Sequence, residues 1–424
     1  MALQPFRFVH ATNLRLDHPL WGLTGVSGET RRIAEDATLQ AFEHIIQACL
    51  EHQPACLLLT GNCFDAAHPF RARIALENAC ETLAAQNIAV FIVPGQTDPP
   101  QAWQRGLQLP ENVTLFSSRQ PDPTELVVDG QTVATVEVFE DRARQAQRGS
   151  GGPFRIGLVA AGQHGSLQER LAHAGEGPLP EAVTDEFPAL AGFRYLALGN
   201  GSSRLSVDLP RGVAHDPGCP QPLDGRQTHQ LGCSLVDVDR AGRIQIRLLP
   251  TAVVRREEIG LTLRDDATWD QLVHDMQAAL AEREPLATER LWLVRWVLEG
   301  GGELIDSLSE ESSRRELCEL LEQELAEKHG IHRLHEVELR ANPLLRLHEN
   351  EIGTIGEEFA TQVDEHLSEH VHQFRRRLPT MDWPESGWVR YILDAADQLH
   401  PPHVEARARE LGDRWIMPDS TKRR

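Results

Sequence analysis

The chain has 424 residues, of which 63 are acidic and 42 basic, for a formal net charge of −21. Its 41% hydrophobic and 25% charged residues are the balance of a folded protein long enough for two or three domains, and no apolar run approaches membrane-spanning length. So acidic a chain is a poor nucleic-acid binder on its own, because that affinity comes largely from Lys and Arg meeting phosphates.

Phe6 to Ala11 is a short apolar run that predicts a buried strand, and it opens into Asn13-Leu14-Arg15-Leu16-Asp17-His18-Pro19. A helix is expected over Arg31 to Glu51. A second apolar run, Ala55 to Thr60, ends in Gly61-Asn62-Cys63-Phe64-Asp65. Another helix is expected over Ala72 to Gln86, and a third run, Ile88 to Val93, ends in Pro94-Gly95-Gln96-Thr97-Asp98. Later strand-like runs end in Ala160-Ala161-Gly162 and in Gly199-Asn200-Gly201-Ser202, and the stretch up to Leu249 is strand-rich. Each loop follows the carboxyl end of a strand, where open α/β sheets build their sites.

Beyond Val253 the pattern alternates: a strand at Val254 to Arg264, a helix at Thr268 to Glu284, a strand at Arg290 to Leu298, a helix at Ser312 to Lys328 and a strand at His332 to Arg340. That βαβαβ order predicts a small two-layer domain. From about Asn350 the chain is expected to be helical. Ile352, Ile355, Phe359, Val363, Leu367, Val371 and Phe374 fall three or four residues apart, one narrow apolar stripe that needs a surface to cover, on the chain's own body or on a partner. His366 and His370 lie one turn apart, a spacing that can hold zinc, but their acidic and polar setting reads as a solvated face. Residues 301 to 370 hold 18 acidic against 6 basic residues, so a partner there should offer a basic face. The expected boundaries are 1–252, 253–345 and 346–424.

The loops, taken in order, resemble those of the calcineurin-like metallophosphoesterases, and among them the DNA repair exonucleases of the SbcD and YhaO type. That family reads D-x-H, G-D-x-F-D, G-N-H-D, a strand ending in His, and G-H-x-H. Here those ligand positions are Asn13 and Arg15, Asn62, Gln96 and Thr97, Ala160, and Asn200 and Ser202, while Gly61, Phe64, Asp65, Pro94, Gly95, Asp98 and Gly199 keep the frame. The resemblance implies a calcineurin-like sandwich of two mixed β-sheets flanked by helices, a small α/β capping domain and a helical C-terminal tail. It also implies two Mn ions, a nuclease activity, and a C-terminal helical region that binds a coiled-coil ATPase of the SbcC kind.

Every ligand position has nevertheless changed. Two divalent ions about 4 Å apart repel by about 15 kcal/mol at an effective dielectric of about 20, so only bridging and flanking anions make such a pair stable. Asn62 removes the bridging charge, and Arg15 adds a cation that does not lose its proton. The residues therefore predict no metal cofactor and no functional catalytic group. The expected role is a non-catalytic scaffold or regulatory subunit, working with an SbcC-like ATPase or an active paralogue and meeting DNA through that partner. The alternative is an active metal-dependent phosphodiesterase using relocated ligands, for which Asp17, Asp65, Asp98, His10 and His18 are at hand. Asp65 and Asp98 also suit loop turning, and His10 suits a core position. Arg15 either pairs with Asp65 or Asp98 in place of metal, or faces an open cleft where it contacts a phosphate. Phe359, Val363 and Leu367 would then carry the partner surface.

Other chemistries have no support: there is no G-x-x-x-x-G-K-[ST], G-x-G-x-x-G after a strand, G-x-S-x-G or H-E-x-x-H. Seven cysteines without a C-x-x-C pair, and a start that is not a signal peptide, predict reduced thiols and a cytoplasmic protein.

Overall fold

In the computed structural model, the described residues are 3–20, 28–105, 107–116, 123–140, 153–159, 167, 170–171, 174–175, 177–199, 203–223, 231–325, 330–341 and 373. The expected α/β sandwich is present. Its first sheet has the order β13-β12-β1-β2-β3-β4, with β1 at Phe6–Thr12, β2 at Cys56–Gly61, β3 at Ala89–Pro94, β4 at Val113–Leu115, β12 at Gly232–Val238 and β13 at Ile244–Pro250. Strands β1 to β4 are parallel, and β12 returns antiparallel to β1. The second sheet has the order β5-β6-β7-β9-β11-β10-β8, with β5 at Thr124–Val128, β6 at Gln131–Val138, β7 at Phe154–Leu158, β8 at Gly177–Pro178, β9 at Tyr195–Ala197, β10 at Leu205–Leu209 and β11 at Gly212–Asp216.

Strands β1, β2 and β3 read as unbroken apolar runs because both of their faces are covered, which is the rule for parallel strands inside a layered fold. Toward the helices, Val9, Leu57 and Ile92 pack under α1 (Gly28–His52) and α2 (Phe70–Ala85) with Phe42, Ile45 and Leu76. Toward the second sheet, Phe8, Leu58 and Phe91 meet Val136, Ile156 and Tyr195. Each such large apolar side chain contributes about 1.5–3 kcal/mol by leaving water, so both apolar layers hold the sandwich together. Two short helices, α3 (Pro100–Gln104) and α4 (Glu181–Glu186), follow β3 and β8.

A third sheet, β14-β15-β16, combines β14 (Val254–Leu263), β15 (Leu291–Gly300) and β16 (His332–Ala341), and the chain between these strands forms the helices α5 (Trp269–Ala281), α6 (Glu303–Leu308) and α7 (Glu311–Leu325). Every strand and helix expected here is present. By compactness the chain divides into two units. The first takes Met1–Leu261, Trp269–Val297 and Glu310–Glu338; the second takes Thr262–Thr268, Leu298–Ser309 and Leu339–Arg424. In the second unit, Gly302 (φ 88°) leads into α6, and a Cβ there would meet the Asp265 carbonyl oxygen at 2.3 Å. Among the described residues no helix is long and apolar enough to cross a membrane.

Candidate functional site

The loops leaving β1, β2 and β3 converge. After Thr12 the chain alternates through left-handed backbone at Asn13 (φ 49°), Arg15 (φ 43°) and Asp17 (φ 63°). Asn and Asp tolerate that region through local hydrogen bonds, whereas at Arg15 it costs about 1 kcal/mol or more, a strain held by surrounding contacts. Those contacts are backbone bonds that extend the β1–β2 pairing into the loops: Asn13 N–H donates to Thr60 O at 3.0 Å, Arg15 N–H to Asn62 O at 3.1 Å and Leu16 N–H to Cys63 O at 2.8 Å.

Asn13, Asn62 and Thr97, which stand where the resemblance implies metal ligands, hold one another. Asn13 and Asn62 are 6% and 7% exposed. Asn62 N–H donates to Asn13 Oδ1 at 3.0 Å, and Thr97 N–H donates to Asn62 Oδ1 at 3.1 Å. Thr97 Oγ1 donates to the Phe64 carbonyl at 2.7 Å, closing the relay. The loops touch so closely that a Cβ on Gly61 (φ 75°) would lie 1.9 Å from Gly199 O, and one on Gly95 would lie 2.2 Å from Asn62 Oδ1. Both glycines are therefore required by backbone approach.

Asp65 and Asp98 turn these loops. Asp65 Oδ1 accepts from Ala67 N–H at 2.9 Å. Asp98 is fully buried and accepts from Cys63 N–H (3.1 Å), Gly95 N–H (3.0 Å) and Trp103 Nε1–H (3.1 Å). Burial pushes its carboxyl up to about 7, against the pull of those donors. Asp17 is held by Arg71, which also binds Asp36. Burial raises the Asp17 carboxyl, and Arg71 works the other way.

Arg15 does not form the salt bridge with Asp65 or Asp98 that replacing metal by an ion pair required. Those carboxylates are consumed by N–H groups of their own loops, and the half-buried Arg15 guanidinium has no hydrogen-bond or ion-pair partner among the described residues. Gln96 is exposed and Thr97 half-buried. Ala160, Asn200 and Ser202 lie outside the described residues, as do Phe359, Val363, Leu367, His366 and His370.

Below the loops, between the sheets, lies a buried polar network that the sequence reading passed over except for His10. Thr60 Oγ1 donates to Leu198 O at 2.8 Å, so it must accept from His10 Nε2–H at 2.9 Å. His10 Nδ1 is then the acceptor for the Tyr195 hydroxyl at 2.9 Å. His215 sits between Ser206 Oγ and Ser234 Oγ, each at 2.8 Å, and Arg204 Nη1 donates to Ser234 Oγ at 2.8 Å. Burial, then the neighbouring His215, lowers the His10 imidazole well below its ordinary range, and burial with Arg204 nearby lowers His215 to about 3. Both rings are neutral. The one visible signal for them was a polar residue beginning or standing in a buried strand run, as at Tyr195 and His215.

Neutral Asn13, Asn62 and Thr97 with a nearby arginine do not fit a pair of divalent ions, since the Asn oxygens already accept backbone N–H bonds and the bridging position carries no carboxylate. Among the described residues no three His, Cys, Asp or Glu side chains converge as a metal site.

No protein-family model matches the chain. It is similar to the "Uncharacterized metallophosphoesterase YhaO" of Bacillus subtilis (strain 168), 25% identical over 334 residues, covering 74% of this chain and 80% of the relative. A crystal structure of TT1561 of Thermus thermophilus overlaps 58% of this chain and 99% of its own at 12% identity, with a TM-score of only 0.33. The relative is named as a metallophosphoesterase, and the sandwich of two mixed sheets flanked by helices is consistent with a metallophosphoesterase fold.

Proposed function

We propose that the chain is a non-catalytic relative of the DNA repair exonucleases: a scaffold or regulatory subunit that works with an SbcC-like coiled-coil ATPase or an active paralogue. The observation that carries this reading is the relay from Asn13 through Asn62 to Thr97. Side chains at ligand positions are spent on backbone amides, so the loops keep their form without metal. The Arg15 guanidinium, without a partner among the described residues, is the group that would meet a phosphate at the same loops, without hydrolysis. The net charge of −21 favours DNA contact through a partner over direct binding, and the free thiols suit a cytoplasmic setting.

Metal analysis of the purified chain, together with a manganese-dependent nuclease assay, tests the reading. Substoichiometric manganese and no cleavage are expected. Stoichiometric manganese, with activity abolished by Asp65→Ala, would instead establish the relocated-ligand phosphodiesterase. The partner half is tested by capture of a coiled-coil ATPase, which Phe359→Asp with Leu367→Asp should abolish while the protein stays folded.

A further inference from the structure

The chain passes from the two-sheet sandwich into the three-stranded module at Thr251 to Val254, and one buried side chain makes three of the hydrogen bonds that hold that crossing. Gln221 is 1% exposed. Its Oε1 accepts from both Val253 N–H (2.8 Å) and Val254 N–H (3.1 Å), and its Nε2 donates to Val254 O at 2.9 Å. The side-chain amide thus acts as an extra peptide unit laid along the start of β14. Thr251 is gripped on two sides: its Oγ1 donates to Pro220 O at 3.0 Å, and its carbonyl accepts from His44 Nδ1–H at 2.8 Å. From the module, Arg290 N–H donates to Val253 O at 2.8 Å.

A swinging connection needs backbone groups free to change partners, and these are committed in a buried place where losing a partner is costly. An apolar seam continues the attachment: Leu20, Ala34 and Leu223 of the sandwich pack with Val254, Leu291 and Leu334 of the module. Leu20 lies three residues beyond Asp17, so the seam ties the module to the first loop of the cluster.

We propose that Gln221 fixes the first-unit part of the three-stranded module (residues 254–261, 291–297 and 332–338) to the sandwich as a standing wall beside the loop cluster, so that it and the first loop present one composite face rather than a cap that swings. This holds whether or not the chain hydrolyses anything. A ligand or partner at the loops would meet the module without a closing step.

Residue-resolved amide hydrogen exchange on the full chain tests it, with Gln221→Met removing the amide at nearly constant volume. Exchange at Val253, Val254 and the β14 to β16 amides of the first compact unit should rise at least about tenfold, while β1 and β2 stay unchanged. Unchanged exchange in the module, or an equal rise in β1 and β2, overturns the proposal. Where Gln221→Met does not yield folded protein, Thr251→Val removes only the bond to Pro220. It must then produce a smaller rise confined to the same amides, and the absence of that rise overturns the proposal equally.

Discussion

The loop cluster and the polar network beneath it lie at neighbouring depths of one sandwich and have kept different things. In the loops, positions that hold metal ligands in the family carry Asn, Arg, Gln and Thr, and the Asn oxygens are satisfied by backbone N–H groups. Between the sheets, His10, Thr60, Tyr195, His215 and Ser234 remain tied into hydrogen bonds with one another and their neighbours. A buried polar side chain with protein partners cannot be exchanged without orphaning those partners, whereas a side chain whose main partner is an ion is free to change once the ion is gone. Burial constrains the network, and under the proposed metal-free reading the loops carry no such constraint from an ion.

The strongest blow to that contrast is Asp98→Ala, because Asp98 is the loop residue that behaves like the network below. Three buried N–H donors lose their acceptor, and stability should fall by about 3–5 kcal/mol, read as a lower denaturant midpoint. A loss under about 1 kcal/mol would mean that water or loop rearrangement replaces the carboxylate.

Acid titration comes next. His215 is neutral in the fold, with its value lowered to about 3 by burial, while an unfolded histidine titrates near 6.5. Between those values the unfolded chain binds the extra proton, so stability rises with pH across that window and is lost as pH falls from about 6.5 toward 3, by up to about 4 kcal/mol. Comparing unfolding midpoints at about pH 7 and about pH 4.5 for the wild type and His215→Gln should show a shallower acid limb in the variant. Parallel limbs would deny His215 this role.

Asn62→Asp attacks the loops from the chemical side by supplying the one carboxylate that the resemblance implies as the metal bridge. It should destabilise by about 1–2 kcal/mol, since it places a charge at a position only 7% exposed and already filled by hydrogen bonds, and should still bind no manganese. Stoichiometric metal uptake would show that one residue separates this site from a working one. The smallest stability effect belongs to Arg15→Gln, within about 0.5 kcal/mol, because no ion pair among the described residues is lost. Its sharper readout is binding: inorganic phosphate or a short oligonucleotide should raise the melting temperature of the wild type and not of the variant.

Much of this fold was legible in the residues because local rules sufficed. Apolar runs at Phe6, Ala55 and Ile88 became β1, β2 and β3, since double burial leaves no polar face to interrupt them. The alternation after Val253 became β14, α5, β15, α7 and β16 within a few residues of the expected ends. The loop framework was legible for the same reason: Gly61 and Gly95 answer to backbone approach, which tolerates no side chain. The fate of Arg15 was not, because an available carboxylate in the sequence becomes an unavailable one when its own loop supplies the donors.

By itself the sequence determined the succession of strands and helices, and it carries the loop residues and the acidity on which the proposals of a metal-free site and of DNA contact through a partner rest. Only the tertiary structure decided which polar groups are partners. His10 meets a tyrosine 185 residues away, Thr60 ties that histidine to Leu198 on the far side of the sandwich, and Gln221 reaches across 32 residues to grip Val253. Strand periodicity is local and survives as a pattern in the residues. A buried hydrogen bond is a meeting of distant segments, and its partners are set only when the two sheets close on each other.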